Sequence, residues 1–437
     1  MLVDHGRHDS STPSPDSTRL DIADPLRSIR TLFSIPAPVY LCGNSLGPQP
    51  LSVRTALQTH LDKWASLGVA GHFTTPDPWA DIEVAAAAAV APIVGAKPGE
   101  VAIMNSLTVN LHLMLTAFYR PHGDRKCIII EDGAFSTDEY ALQTHITARG
   151  LDPASVIVRL QPRTGERLLR DQDILSTISD LSAASRLALV LLPGVQYYTG
   201  QLFPLAEACR VAREAGVPIG FDLAHAVGNI PLSLHKWGAN FAVWCSYKYL
   251  NAGPGAVGGV FIHEKHAAED LPRHAGWWGH DRTSRFLMPR DFIPQRGAPG
   301  FQLSNPPVFA IVPVIEAARV FERAGGMEAV RRKSVKLTAF LERLIEKKLG
   351  GAVEIVSPRD EHRRGAQLSL AVERVRRWEG GDMHAFNARL EKRGVVCDVR
   401  EPDVLRVAPA PLYNSFADVE LFVDVLAHAL GELPPCK

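Results

Sequence analysis

Apolar residues fall into two textures along the chain. From about residue 100 to 265, short continuous runs rich in β-branched residues alternate with stretches of helical spacing. The runs are Val101–Met104, Cys127–Glu131, Ser155–Leu160, Leu187–Leu192, Pro218–Asp222, Phe241–Ser246 and Ala256–Ile262. Apolar runs of this length bounded by turn residues read as buried strands, and helices such as Leu205–Ala215 fit between them. Strands apolar on both faces, alternating with helices, predict a mostly parallel sheet covered on both sides. Ahead of it, Leu51–Leu67 and residues 80–93 read as helices, the second ended by Gly95 and Pro98.

Past Asn305-Pro306-Pro307 the pattern changes. Val308–Arg323 and Met327–Lys348 carry apolar residues three and four apart, the mark of amphipathic helices. Strand-like runs at 367–372, 395–399 and 404–407 follow around a helix at 382–393, which predicts a smaller α+β domain. The expected organisation is a disordered tail over residues 1–20, an arm over 21–50 packing with the small domain, a large domain over 51–306 and a small one over 307–437. The tail is rich in Ser, Pro and Asp, and the charged segment 357–364 reads as solvated surface.

Composition narrows the function classes. Lys+Arg and Asp+Glu both number 47, which argues against a polyanion partner. No apolar run approaches the roughly 20 residues of a membrane span. The N-terminus lacks the apolar core of a secretory signal. Six cysteines, at 42, 127, 209, 245, 397 and 436, lie far apart without a CxxC pair. Free thiols in a cytoplasmic protein are expected. Sixteen histidines are scattered, with no metal-ligand spacing, so no metal is expected.

The candidate chemistry gathers around Lys248. A lysine placed directly after a buried run is costly without a partner. Asp222 closes the run "VPIGFD", and an acid at the carboxyl end of a parallel strand stands where open α/β sheets bind ligands. His225 follows in "DLAHAVGN". A structural Asp–Lys ion pair is the bland reading. The sharper one is a pyridoxal phosphate site, which needs a lysine to carry the cofactor and an acid to hold its pyridine nitrogen protonated. Ser106, Leu107 and Thr108 open a helix after a strand, a ready phosphate site, although a plain helix cap is the alternative for Thr108. "GAFSTDEY" offers Phe135 as a stacking face, with Ser136, Thr137 and Asp138 behind it.

The segments "YLCGNSLGPQP", "MNSLTVNLHLM", "YYTGQ", "GFDLAHAVGNIPLSLHKWGANFAVWCSYKYLNAGPG", "FIHEKH", "GWWGH", "FQLSNPP" and "RVAPAPLYNSF" closely resemble the kynureninase family, from about residue 28 to the C-terminus. The resemblance implies the fold of the fold-type-I pyridoxal-phosphate enzymes, with a seven-stranded sheet in the large domain. It implies a homodimer with active sites at the subunit interface. Lys248 would carry pyridoxal 5'-phosphate as a covalent aldimine, Asp222 would pair with the pyridine nitrogen, and His225 would contact the cofactor. Leu107 and Thr108 match the phosphate turn, Phe135 the stacking ring, and Asp138 a contact just beyond it. Tyr247, Trp277 and Asn305 match further phosphate-side contacts, some reaching across the dimer. Tyr247 is also a candidate acid. Arg406, by pattern alone a surface arginine, matches the clamp on the substrate's α-carboxylate.

The implied activity is hydrolytic Cβ–Cγ cleavage of L-kynurenine or 3-hydroxy-L-kynurenine, in tryptophan catabolism and NAD biosynthesis. His72, Ser304 and Asn305 resemble the polar set of members that favour the 3-hydroxy substrate. One departure is visible: members of the family carry a serine where this chain has Pro193, which offers neither N–H nor hydroxyl to a cofactor. The rival readings are an aminotransferase or cysteine desulfurase of the same fold, and a non-catalytic binding protein on that scaffold.

Overall fold

A computed structural model of the chain describes residues 13–377 and 382–433, the side chains of 376 and 377 excepted. Residues 1–12 of the expected tail and Cys436 lie outside the described residues. The chain divides into two compact units. One comprises Ser52–Gln196 and Phe203–Arg319; the other comprises Met1–Leu51, Tyr197–Leu202 and Val320–Lys437.

The larger unit is built on seven strands. They are β1 (Val101–Ile103), β2 (Cys127–Glu131), β3 (Ile157–Leu160), β4 (Leu187–Pro193), β5 (Ile219–Asp222), β6 (Phe241–Trp244) and β7 (Gly259–Ile262). Their order in the sheet is β1-β7-β6-β5-β4-β2-β3. β7 runs antiparallel to both its neighbours, and the other pairs are parallel. Every residue of β2, β4, β5, β6 and β7 is buried, which is why these runs are apolar throughout rather than alternating. Helix Leu205–Glu214 buries Leu205, Ala208, Cys209 and Ala212, spaced three and four apart.

Glycine makes room for the two large rings of β6. A Cβ on Gly220 would meet the Phe241 ring at 2.0 Å, and one on Gly259 would meet the Trp244 indole at 2.2 Å. Trp244 is fully buried, so its packing fixes the end of the strand that leads to Lys248. β6 stops at Trp244, two residues short of the sequence expectation. Ser246 turns its hydroxyl onto the Val257 carbonyl at 2.7 Å instead of continuing the ladder.

The other unit holds a four-stranded antiparallel sheet. Its strands are β8 (Glu354–Ile355), β9 (Leu368–Ala371), β10 (Asp398–Arg400) and β11 (Val404–Val407), in the order β8-β9-β11-β10. Helices Gly326–Leu349 and Phe416–Gly431 bury Leu337, Leu341, Phe422 and Leu426 in its core. Strand Val39–Tyr40 pairs in parallel with Val395–Val396. Lys333 and Asp24 form a buried ion pair at 2.7 Å.

The disordered tail is corrected over its last residues, because Pro15–Ile22 is a helix. Ser14 caps it by accepting from the Ser17 N–H, and Pro15 stands at its first position, where a missing N–H costs nothing. Just beyond, Asp21 accepts from the N–H groups of Phe416 and Ala417 at 2.7 and 3.1 Å. Among the described residues no helix is long and apolar enough to cross a membrane.

Candidate active site

The site of the larger unit is assembled by the register of its central strands. β5 and β6 are parallel neighbours with Asp222 opposite Val243, so their carboxyl ends lie side by side. The turn after β5 carries His225, and the turn after β6 carries Lys248. Lys248 Nζ stands 3.1 Å from His225 Nε2. It also lies 5.8 Å from the centre of the Phe135 ring and 5.9 Å from that of Tyr247. Lys248, His225, Phe135 and Tyr247 are thus brought together as expected.

Asp222 is buried and accepts from the Ala224 N–H at 2.7 Å. Burial raises its carboxyl above the ordinary range, against the pull of that N–H and of the Lys248 ammonium. Asp138 is buried and interacts electrostatically with Asp222. Its carboxyl is pushed well above the ordinary range by burial, by Asp222 and by Glu131. Their interaction raises Asp138 and lowers Asp222, so Asp138 is pushed further toward its neutral form than Asp222. Glu131, at the end of β2, is buried and also raised well above its usual range by desolvation. Tyr247 is half-buried; burial and then Cys245 raise its phenol, so it keeps its proton at neutral pH.

Two helix starts converge nearby. Ser106 opens helix Leu107–Phe118 without a side-chain cap, and Phe135 does the same for helix Ser136–Thr147. Thr108 Oγ1 and Thr137 Oγ1, each in a first turn, lie 3.5 Å apart. Gly258 lets the β7 backbone approach: a Cβ there would stand 2.8 Å from the Trp244 carbonyl and 3.2 Å from the Leu107 nitrogen. Ser136 is exposed in that first turn. Uncapped N–H groups with two hydroxyls at hand are the donors an anion needs. Pro193 ends β4 in register with Asp222 and, as a proline, brings no N–H donor to that position.

The remaining candidates lie on other segments of the chain. Trp277 is exposed and donates from Nε1 to the Arg285 carbonyl at 3.0 Å. His72 packs edge-on against Trp79, with ring centres 5.4 Å apart. Ser304 and Asn305 are exposed in a bend. Among the described residues no hydrogen bond or ring contact joins these four to Lys248 or Asp222. In the other unit, Arg406 lies on β11 and is fully buried. Its Nη1 donates to the Tyr197 carbonyl at 2.8 Å, and its Nη2 is paired with Asp398 Oδ2.

Sequence reasoning passed over Asp398 and Glu131. Asp398 and Arg400 stand two apart on β10, which places both on the face shared with Arg406, a period-2 signal that was present in "CDVR". Glu131 closes an apolar run as Asp222 does.

The residues fit pyridoxal phosphate. Asp138 Oδ1 is buried with no hydrogen-bond partner, Phe135 presents a flat exposed face, and the paired helix starts offer phosphate donors beside a lysine and a buried aspartate. Solved structures share the fold. An apo cysteine desulfurase from Thermococcus onnurineus matches with a TM-score of 0.74 at 18% identity, covering 98% of this chain and 100% of its own. A variant of C-DES with glycine covalently linked to its PLP cofactor matches at 0.76 and 17%, covering 93% and 99%. Fold and site together define a fold-type-I pyridoxal-phosphate enzyme.

The sequence comparisons are narrower. Residues 330–426 match the kynureninase C-terminal domain. Kynureninases of Xanthomonas oryzae pv. oryzae and Xanthomonas campestris pv. campestris are 50% and 49% identical, over 92% and 93% of this chain and 95% of each relative. The chain belongs to the kynureninase family, whose members are hydrolases of carbon–carbon bonds.

Proposed function

We propose that this chain hydrolyses the Cβ–Cγ bond of L-kynurenine and 3-hydroxy-L-kynurenine, giving L-alanine with anthranilate or 3-hydroxyanthranilate, and that it prefers the 3-hydroxy substrate. The carrying observation is Lys248 Nζ at 3.1 Å from His225 Nε2 beside buried Asp222, in a chain half identical to kynureninases. Pyridoxal phosphate, covalently held on Lys248, supplies the electron sink for charge developing at the substrate's α-carbon.

The chain's own groups do the rest. Leu107, Thr108, Ser136 and Thr137 hold the phosphate. Phe135 covers one face of the ring, and His225 contacts the cofactor beside Lys248. Asp222, the less strongly raised of the two acids, would hold the proton on the pyridine nitrogen. Lys248 Nζ would take the α-proton as a general base. Tyr247 retains its phenolic proton and can deliver it to the β-carbon, which keeps the electron pair when its bond to the γ-carbon breaks. Arg406 takes the α-carboxylate in its planar fork. Water adds at the γ-carbonyl before the carbon–carbon bond breaks.

The reading includes a cytoplasmic homodimer acting in tryptophan catabolism and NAD biosynthesis. Some of the phosphate-side contacts of Tyr247, Trp277 and Asn305 reach across the dimer, and His72 comes to the site from the other subunit. The exposed apolar side chains Leu61, Trp64, Val69 and Phe73 support such a partner. Desulfurase chemistry needs a thiolate, and burial pushes the thiol of Cys42, the candidate nucleophile, up to about 12.

Product analysis with both kynurenines tests the proposal. L-alanine with an equal amount of the aromatic amine is the expected result. Pyruvate from alanine-type substrates, or sulfide from cysteine with no cleavage of either kynurenine, overturns it.

A further inference from the structure

Asp222, His225, Phe135 and Lys248 stand at or just after the carboxyl ends of strands. The opposite edge of the same sheet carries a cavity of about 480 Å³ that the reaction leaves unused. Its lining comes from the residues that enter β2, β4, β5 and β6 and that leave antiparallel β7, so the topology gathers them at one edge. Strands β5 and β6 have four residues each and separate this edge from Asp222 and Lys248 by roughly 13 Å, at about 3.3 Å per residue.

The chemistry of the cavity is one-sided. The floor is apolar: Leu187, Val217 and Leu271 are buried, and so is Phe118, which stacks on Phe241 with centres 5.0 Å apart. Four cations surround it: Arg120, Arg125, Arg213 and Lys265. Their hydrogen bonds go to backbone carbonyls. Arg125 Nε donates to Leu187, Arg213 Nη1 to Trp237 and Lys265 Nζ to Gly238, at 3.4, 3.2 and 2.9 Å. These bonds fix the stems without a carboxylate partner, although Lys265 also feels the charge of Glu269. Among the described lining residues the one carboxylate is Glu269, and His266 Nδ1 holds it at 2.9 Å. The whole chain has zero formal net charge, so four cations against one acid is a strong local excess.

We propose that this cavity is a second, non-catalytic binding site for a small organic anion: a carboxylate or phosphate on a flat apolar body. Its volume lies in the range of small-molecule sites, about 300–1,000 Å³. Guanidinium forks match carboxylate and phosphate oxygens bidentately. The Phe118 floor takes the apolar body, which inorganic phosphate lacks. The site is built from one unit alone and requires no residue assigned to catalysis.

Calorimetric titration of the holoenzyme tests this with benzoate, phenyl phosphate, inorganic phosphate and neutral benzamide. Benzoate and phenyl phosphate should saturate a site with one ligand per chain while the cofactor absorbance band stays put. Benzamide and inorganic phosphate should each bind at least about tenfold more weakly, one lacking the charge and the other the apolar body. Arg125→Gln and Lys265→Gln should each weaken benzoate by at least about tenfold without changing turnover. If one variant does not fold, the other gives the same reading. No saturable binding overturns the proposal. So does binding that shifts the cofactor band, which places the ligand in the active site, or binding that survives both substitutions.

Discussion

Arg406 and Asp398 face each other in register across antiparallel strands β11 and β10, with their side chains 1% and 11% exposed. The pair leaves Arg406 a fixed fork rather than a swinging side chain, because Nη1 is tied to the Tyr197 carbonyl as well. Removing one partner strands a buried charge, which costs about 3–5 kcal/mol. Asp398→Asn should therefore lower the urea midpoint of the unit that contains it. An unchanged midpoint would show that the carboxylate is not needed to keep that guanidinium buried.

Arg406 itself is assigned to the substrate. Truncating a buried, bidentate charge contact costs roughly 2–5 kcal/mol, so Arg406→Ala should lower kcat/KM by at least about tenfold. A substrate ester, lacking the carboxylate charge, should lose little on the same substitution. Equal losses for acid and ester would assign Arg406 to the fold alone.

Lys248→Ala should bind pyridoxal phosphate without a covalent bond and lose turnover. Borohydride reduction followed by mass spectrometry of the peptides reads this directly. Cofactor still trapped on the variant would place the covalent link at another amine.

Asp222→Asn should cost about 10²–10³ in kcat, as for loss of one preorganised electrostatic contact, with the protein still folded. The amide cannot hold a proton on the pyridine nitrogen. Near-normal turnover would mean that another acid, with Asp138 the nearest, fills the role.

Glu131 gives a stability prediction with a definite sign. Burial raises its folded pKa well above the ordinary 4.5. Below 4.5 the group is neutral in both states and costs nothing. As pH rises from there toward the folded pKa, the unfolded chain releases the proton and the folded one keeps it, so stability falls. Glu131→Gln should stabilise the protein more at pH 8 than at pH 4, measured by thermal unfolding. The same gain at both values would remove ionisation as the cause.

Substrate choice is read from a ratio. If His72 and Asn305 serve the ring hydroxyl, 3-hydroxykynurenine is the better substrate by kcat/KM, and His72→Trp with Asn305→Thr shrinks or reverses that preference. Equal loss on both substrates would confine these residues to the phosphate and the interface. A wild-type preference for unsubstituted kynurenine would end the idea at once.

The large sheet was legible in sequence because its strands are buried on both faces, and continuous apolar runs announce that state. Lys248, Asp222 and His225 were legible for a related reason: each follows such a run, where a charged group has no ordinary use. Asp398 was hidden. Its role depends on the register between two short strands, and an acid followed by a basic residue reads as surface. Glu131 closes an apolar run as Asp222 does, but no histidine follows it within a turn to single it out, so it reads as a plain strand end; in the sheet it is buried opposite Leu160 of β3. Helix Pro15–Ile22 carried local cap signals, but Ser17 also bonds Glu420, and that partner lies far away in sequence.

The parallel pairing of Val39–Tyr40 with Val395–Val396 sets an order of events during synthesis. The first strand leaves the ribosome more than 350 residues before its partner exists. At about 5–20 residues per second that interval is roughly 20–70 s. Through it the N-terminal segment, including Leu41 and the buried face of Val39, stays without its final neighbours while the seven-stranded sheet can already close. The first residues made are among the last to settle. A nascent chain stalled before residue 395 should hold a protease-resistant sheet behind an N-terminus that is still open to cleavage.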